Sequence, residues 1–233
     1  MLAPIDTPAA IDGTLALAAS AREALGPEGD FALDFHGRFS TAMARRVLRE
    51  LEPLRPMFVE EPVLPEFTKN RLADVTRSTV VPIACGERLF NRAEFLPALQ
   101  AGIAVAQPDI SHCGGISETR RVASFAEAFD VSVAPHCPLG PIALAASLQV
   151  AFATPNFLIQ EQSAGIHYNQ SGELSDYVVD RSVFDFSSGY CERPPGPGLG
   201  IEVDEAAVRK AAEVGHNWRT PRWRHGDGSF AEW

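Results

Sequence analysis

Short apolar runs that end in a polar or ionisable residue recur along this chain: FALDFH (31–36), MFVEEP (57–62), VPIACGE (81–87), IAVAQPD (103–109), VSVAPH (131–136) and FLIQEQ (157–162). Their length and β-rich composition predict strands. With Asp34, Glu60, Glu87, Asp109, His136 and Glu161 as end markers, successive spacings are 26, 27, 22, 27 and 25 residues. Each interval accommodates one strand, one helix and two loops. The intervening segments TAMARRVLRELEP, RAEFLPALQAG, SETRRVASFAEAFD and GPIALAASLQVAFAT place apolar residues three and four apart, which predicts helices. Ser117 before Glu118 suits a helix start and Gly102 a helix end. Ahead of the first strand, TPAAIDGTLALAASAREALG reads as another helix, with Thr7 as N-cap and Pro8 in the first turn.

Alternating strands and helices with near-continuous apolar strands indicate an α/β fold with a parallel sheet. An open doubly wound sheet gathers ligand groups at one switch point, from a few strand ends. Here nearly every strand end carries a candidate group, which a (β/α) barrel of the TIM type would bring together at its C-terminal mouth. The barrel is the expected closure. No GxGxxG or GxxxxGK[ST] follows a strand, so dinucleotide and P-loop readings lack their motif.

Composition narrows the partners. The 233 residues carry a net charge of −10 and no basic run, which argues against nucleic acid. No apolar stretch reaches the roughly 18 residues of a membrane helix, and the N-terminus lacks the basic region of a secretory signal. Cys85, Cys113, Cys137 and Cys191 are well separated, with no CxxC pair. Reduced thiols and a cytoplasmic location are expected.

The candidate chemistry follows from the strand ends. In an extended FALDFH, Asp34 and His36 share one side while Leu33 and Phe35 share the other. Asp34, Glu60 and Glu87 end three consecutive strands, and three converging carboxylates repel one another unless a cation sits between them. Oxygen-only ligands favour a hard divalent ion such as Mg²⁺. His36 and His136 lie on either side of this series, placed to flank a substrate as proton donor and acceptor. Asp109, one strand before His136, is placed to fix its tautomer and raise its basicity. Glu161 ends the next strand and is placed to donate a proton or shape the site. Proton abstraction beside a carboxylate fits this set, because a cation on that carboxylate stabilises the enediolate. With a second acid present, a β-hydroxyl leaves as water.

The strand-end series Asp, Glu, Glu, followed by an Asp–His pair, resembles the enolase superfamily, mandelate racemase subgroup, whose use of a Lys or His base with Mg²⁺ is a general pattern. LDFHGR, FVEEPVLPE, PIACGERLF, QPDISHCGGI, APHCPLGPIALAASLQ, QEQSAGIHYN and the closing WRHGDGSFAEW are similar to the acid-sugar dehydratases of that subgroup, from about residue 4 to the C-terminus. The resemblance implies metal ligands at Asp34, Glu60 and Glu87, and a cofactor Mg²⁺. It implies His36 as the acid that protonates the departing 3-hydroxyl and His136 as the base that takes the C2 proton. Asp109 would enhance that basicity and Glu161 stabilise the transition state. The implied substrate is a sugar acid, galactonate first, with gluconate or mannonate as alternatives, and the product a 2-keto-3-deoxy acid. A homo-oligomer would be in keeping with the subgroup.

The resemblance also implies a capping domain and an early barrel strand ahead of the region where this chain starts. The expected organisation is therefore a barrel over 1–204, truncated at its start, and a C-terminal tail over 205–233 packing on it. Two outcomes stand open, a working dehydratase and an inactive folded remnant. ERPPGPGLG (192–200) reads as a structural loop entering a last strand, IEVD (201–204). Trp218, Trp223 and Trp233 mark an aromatic tail expected to leave some apolar surface exposed. His112 and His167 read as structural loop residues near the mouth, and Cys85 and Cys137 as small packing residues.

Overall fold

A computed structural model of the chain describes residues 5–65, 71–165, 173–213, 222, 224 and 227–230. His167, Trp218, Trp223 and Trp233 lie outside the described residues. Five parallel strands pair strictly in chain order: β1 Leu33–Asp34, β2 Val59–Glu60, β3 Ile83–Cys85, β4 Val105–Ala106 and β5 Ser132–Val133. The sixth apolar run continues the series, with Phe157 bridging Val133 in parallel and the Leu158 amide donating to the Val133 carbonyl at 2.8 Å. A doubly wound sheet reverses its strand order at the switch point. This one never reverses, which is the winding of a barrel.

Five helices follow the predicted segments, α1 Pro8–Leu25, α2 Thr41–Leu51, α4 Arg92–Gln100, α5 Gly115–Glu127 and α6 Pro141–Phe152, and two arise outside them, α3 Leu72–Thr76 and α7 Glu205–Glu213. Local chemistry starts several of them. The Thr7 hydroxyl accepts from the Ala10 amide at 3.3 Å, the Ser40 hydroxyl from Met43 at 3.1 Å, and the Asn91 side chain from Ala93 and Glu94. Each satisfies amide donors that the first helical turn leaves unpaired. Arg22 fastens the end of α1 to the entry of β1. Its guanidinium donates to the carbonyls of Leu54, Gly26, Gly29 and Arg55 and pairs with Asp30.

Three local expectations differ. α5 starts at Gly115 rather than Ser117, because Gly114 takes the left-handed conformation (φ 95°) that turns the chain into the helix. The short α3 interrupts the loop between β2 and β3, where the sequence pattern was too brief to signal a helix. IEVD is no strand of the parallel sheet: Val203 makes an isolated antiparallel bridge to Val178. Its partner lies in a later loop rather than on a neighbouring stave. Beyond it, α7 packs against the 3₁₀ turn Leu174–Tyr177.

Side-chain alternation splits the sheet residues between two layers. Val59, Ile83, Cys85, Ala106 and Val133 face outward and join Val47, Leu48, Phe95, Leu99 and Val122 of the helices in the main core. Phe58, Ala84, Val105 and Ala134 form a separate inner cluster. Asp34 pairs in register with Glu60, and Glu60 with Ala84, so both carboxylates stand on the inner face. Among the described residues, no helix is long and apolar enough to cross a membrane.

Candidate active site

The polar ends of the strands meet on one side of the sheet. The Glu87 carboxylate stands between the two imidazoles, with Oε1 3.8 Å from His36 Nε2 and Oε2 3.4 Å from His136 Nε2. Behind His136, Nδ1 lies 2.7 Å from Asp109 Oδ2. A carboxylate accepts, so the ring donates from Nδ1 and turns Nε2 toward Glu87. Asp109 is itself fully buried, and its Oδ1 accepts from the Ser111 amide at 2.6 Å. Glu161 is held by the Cys137 amide, which donates to Oε2 at 2.8 Å.

His36 reaches this cluster by a route different from strand alternation. β1 ends at Asp34, and His36 sits at φ 51° in a left-handed turn with Gly37. The His36 amide donates to Asp34 Oδ1 at 2.6 Å, which closes the turn on the carboxylate. β2 ends in the same way: Glu61 follows Glu60 at φ 40°, and its carbonyl accepts from the Gly37 amide at 2.8 Å. Non-glycine residues in this region are uncommon and cluster where a site over-determines the backbone.

Charge crowding shifts the titration of the group. Burial, with the negative charges of Asp34, Glu161 and Glu87, raises Glu60 to about 7 despite a hydrogen bond from Gln107. Glu161 is also raised, by burial first and then by Glu87 and Asp34. Burial alone would lower His136, but the Asp109 hydrogen bond and the charges of Glu161 and Glu87 outweigh it and carry the imidazole up to about 9. Asp109 moves the other way: its burial is outweighed by the hydrogen bond to His136 and the amide of Ser111, and it is lowered.

Glu61 and Gln107 had no role in the reading of the sequence, and His112 was read as a structural loop residue near the mouth. Glu61 is fully buried, takes the Gly86 amide on Oε1 at 3.1 Å and leaves Oε2 without a partner among the described residues. Burial and the charges of Glu87 and Glu60 raise it to about 8, and its hydrogen bond from Gly86 braces β2 against the end of β3. The pair Glu60–Glu61 was visible as EEP, but nothing in it told the buried brace from the site carboxylate. Gln107, buried at the end of β4, reaches Glu60; an amide inside the apolar IAVAQPD run was the available signal. His112 lies nearer the chemistry than its loop position suggested. Its Nδ1 is 3.2 Å from the Glu87 carbonyl, and its ring is 6.3 Å from that of His136. The cysteines behave as packing residues: Cys85 and Cys137 are buried, and burial raises both thiols, Cys137 to about 12.

The residues fit a hard cation by donor chemistry. Asp34 and Glu60 are paired across adjacent strands, and Glu87 interacts electrostatically with Glu60, so oxygen donors dominate this corner. The side chains whose donor atoms all fall within 4.8 Å of one another are, among the described residues, Asp109, His112 and His136 rather than Asp34, Glu60 and Glu87. Three anions repel, and Glu60 is raised by its burial first and by the neighbouring carboxylates after it. A divalent cation shared between them would supply the compensating charge.

The enolase C-terminal domain-like family matches residues 5–207, and the chain belongs to it. It is 52% identical to a D-galactonate dehydratase of Variovorax paradoxus over 100% of this chain and 61% of that protein. A D-galactonate dehydratase of Ralstonia nicotianae is 51% identical over 98% of this chain and 60% of its own length. The chain thus spans about 60% of the curated relatives it matches. Among solved structures, an enolase from Agrobacterium radiobacter with bound Na and L-malate superposes with a TM-score of 0.81 at 36% identity, covering 95% of this chain and 58% of that one. A mandelate racemase/muconate lactonizing enzyme from Jannaschia sp. CCS1 gives 0.79 at 32% identity, over 88% and 51%.

Proposed function

We propose that this chain carries the catalytic half of an Mg²⁺-dependent acid-sugar dehydratase, a hydro-lyase acting on D-galactonate to give 2-dehydro-3-deoxy-D-galactonate. The observation that carries the reading is the Glu87 carboxylate flanked by His36 at 3.8 Å and by the Asp109-backed His136 at 3.4 Å. The curated relatives named for galactonate support the substrate, and the Agrobacterium neighbour, with a cation and a 2-hydroxy acid, supports the type of ligand.

Asp34, Glu60 and Glu87 are the residues that would hold Mg²⁺. The ion would supply positive charge to the substrate carboxylate, which makes the C2 proton acidic enough to remove. His136 takes that proton on Nε2, bare in the neutral ring whose Nδ1–H is given to Asp109; a cation on Glu87 would favour that neutral form over the imidazolium that the surrounding carboxylates stabilise. The C2–H electron pair is held first as the enediolate of the substrate carboxylate, and in a second step forms the C2–C3 double bond as the C3–O bond breaks. His36 delivers a proton to the departing 3-hydroxyl, which leaves as water, and the enol tautomerises to the 2-keto acid. Glu161, held by the Cys137 amide and raised above the ordinary carboxylate range by burial, would face the developing negative charge.

A screen of aldonic acids for 2-keto-3-deoxy product in the presence of Mg²⁺ tests the reading. Turnover of D-galactonate is the expected result. Turnover of gluconate or mannonate without galactonate would move the substrate, and no turnover of any aldonate would favour a folded remnant.

A further inference from the structure

The same end of the sheet holds a second set of metal-capable groups, distinct in chemistry from the three carboxylates. We propose that Asp109, His112 and His136 form a site for a borderline divalent cation such as Zn²⁺, whose occupancy shuts off the base. The inhibitory half of this proposal rests on His136 acting as the base; the site itself does not.

The donor atoms of the three side chains all lie within 4.8 Å of one another. Asp109 Oδ2 is 2.7 Å from His136 Nδ1 and 3.9 Å from His112 Nδ1, so one oxygen faces both imidazoles. Its other oxygen is committed to the Ser111 and His112 amides at 2.6 and 3.3 Å, which aims Oδ2 inward. Bond lengths of about 2.0–2.2 Å to nitrogen and oxygen place tetrahedral donors about 3.3 Å apart. The 2.7 Å pair would open slightly and the 3.9 Å pair close by a similar amount. His112 has room for that adjustment, being exposed, while His136 and Asp109 supply the enclosed side. Water from the mouth would complete the shell.

Donor type separates this site from the oxygen corner. Two imidazoles and one carboxylate suit Zn²⁺ or Co²⁺, whereas Mg²⁺ prefers oxygen alone. Metal on Nδ1 displaces the single proton of the neutral His136 ring, which returns to the ring at Nε2 by a change of tautomer. A neutral imidazole with metal on Nδ1 keeps its remaining proton on Nε2. That is the nitrogen which must be bare to take the C2 proton, so the occupied site has no base.

The test uses Co²⁺ as a spectroscopic probe on the full chain in saturating Mg²⁺, which fills the oxygen donors first. A visible ligand-field band of tetrahedral, nitrogen-bound Co²⁺ is expected for the unaltered chain and its loss for His112→Asn. His112→Gln, which keeps a donor for the Glu87 carbonyl, serves if the first variant fails to fold. Zn²⁺ should bleach the band by displacement. It should also inhibit turnover, with the inhibition constant raised at least about tenfold by the His112 substitution. Absence of the band, or a band unchanged in both variants, would overturn the site. A band that responds to His112 while Zn²⁺ leaves turnover intact would overturn the inhibition and count against His136 as the base. Lack of turnover with Mg²⁺ alone would instead count against the dehydratase reading and leave the spectroscopic result standing.

Discussion

Glu60 holds its proton to about pH 7 in the cation-free chain because burial and three neighbouring carboxylates disfavour its charge. The sign of the consequence is set by linkage. An unfolded Glu60 ionises near 4.5, so between there and about 7 the folded state binds more protons and loses stability as pH rises. A cation that needs the carboxylate form must displace that proton below pH 7, but meets a ready anion above it. Mg²⁺ should therefore raise the melting temperature more at pH 8 than at pH 6, with affinity falling up to about tenfold per pH unit below the titration point. Melting curves with and without millimolar Mg²⁺ at the two pH values check this. An equal shift at both would remove Glu60 from the cation site.

At the scale of elements, the turns after the strands do as much as the strands themselves. Gly86 shows why: its φ of 149° and its place against β4 leave no room for a side chain. A Cβ there would lie 2.8 Å from the Gln107 backbone nitrogen and 2.8 Å from Phe95 Cε1. The Gly86 amide also donates to Glu61, so this residue locks the end of β3 one position before Glu87. Gly86→Ala should destabilise the chain by about 1–3 kcal/mol in urea denaturation, the usual scale for overpacking. It should also weaken the Mg²⁺-dependent melting shift. A variant as stable as the parent, with the same shift, would show that β3 and β4 have slack there.

The apolar runs were legible because a buried parallel strand needs an uninterrupted apolar stretch, and their polar last residues were legible as departures from it. The left-handed turns at His36 and Glu61 were not, since neither residue type announces a positive φ. His36 was expected on the face it reaches, but the turn that carries it there depends on Asp34 and on the Gly37–Glu61 contact, which are tertiary facts. The same holds for His112, placed beside Glu87 and Asp109 by the turn after β4.

For the whole molecule, sequential strand order joins groups separated by up to 127 residues, from Asp34 to Glu161, into one electrostatic unit. Regular spacing of strand ends made that convergence readable before any coordinates, because a barrel maps a linear period onto a ring. A substrate class was suggested only by phrase-level resemblance, since period and face say where groups meet and not what they hold.

The proposed reaction divides labour between two imidazoles on either side of Glu87, His136 removing the C2 proton and His36 delivering one to the leaving hydroxyl. Proton NMR in D₂O, with D-galactonate and Mg²⁺, follows C2 exchange and elimination together for the parent chain, His36→Asn and His136→Asn. C2 deuterium incorporation without elimination is expected in the His36 variant, and neither process in the His136 variant. Elimination near the parent rate in both, or exchange that survives only without His136, would contradict this division.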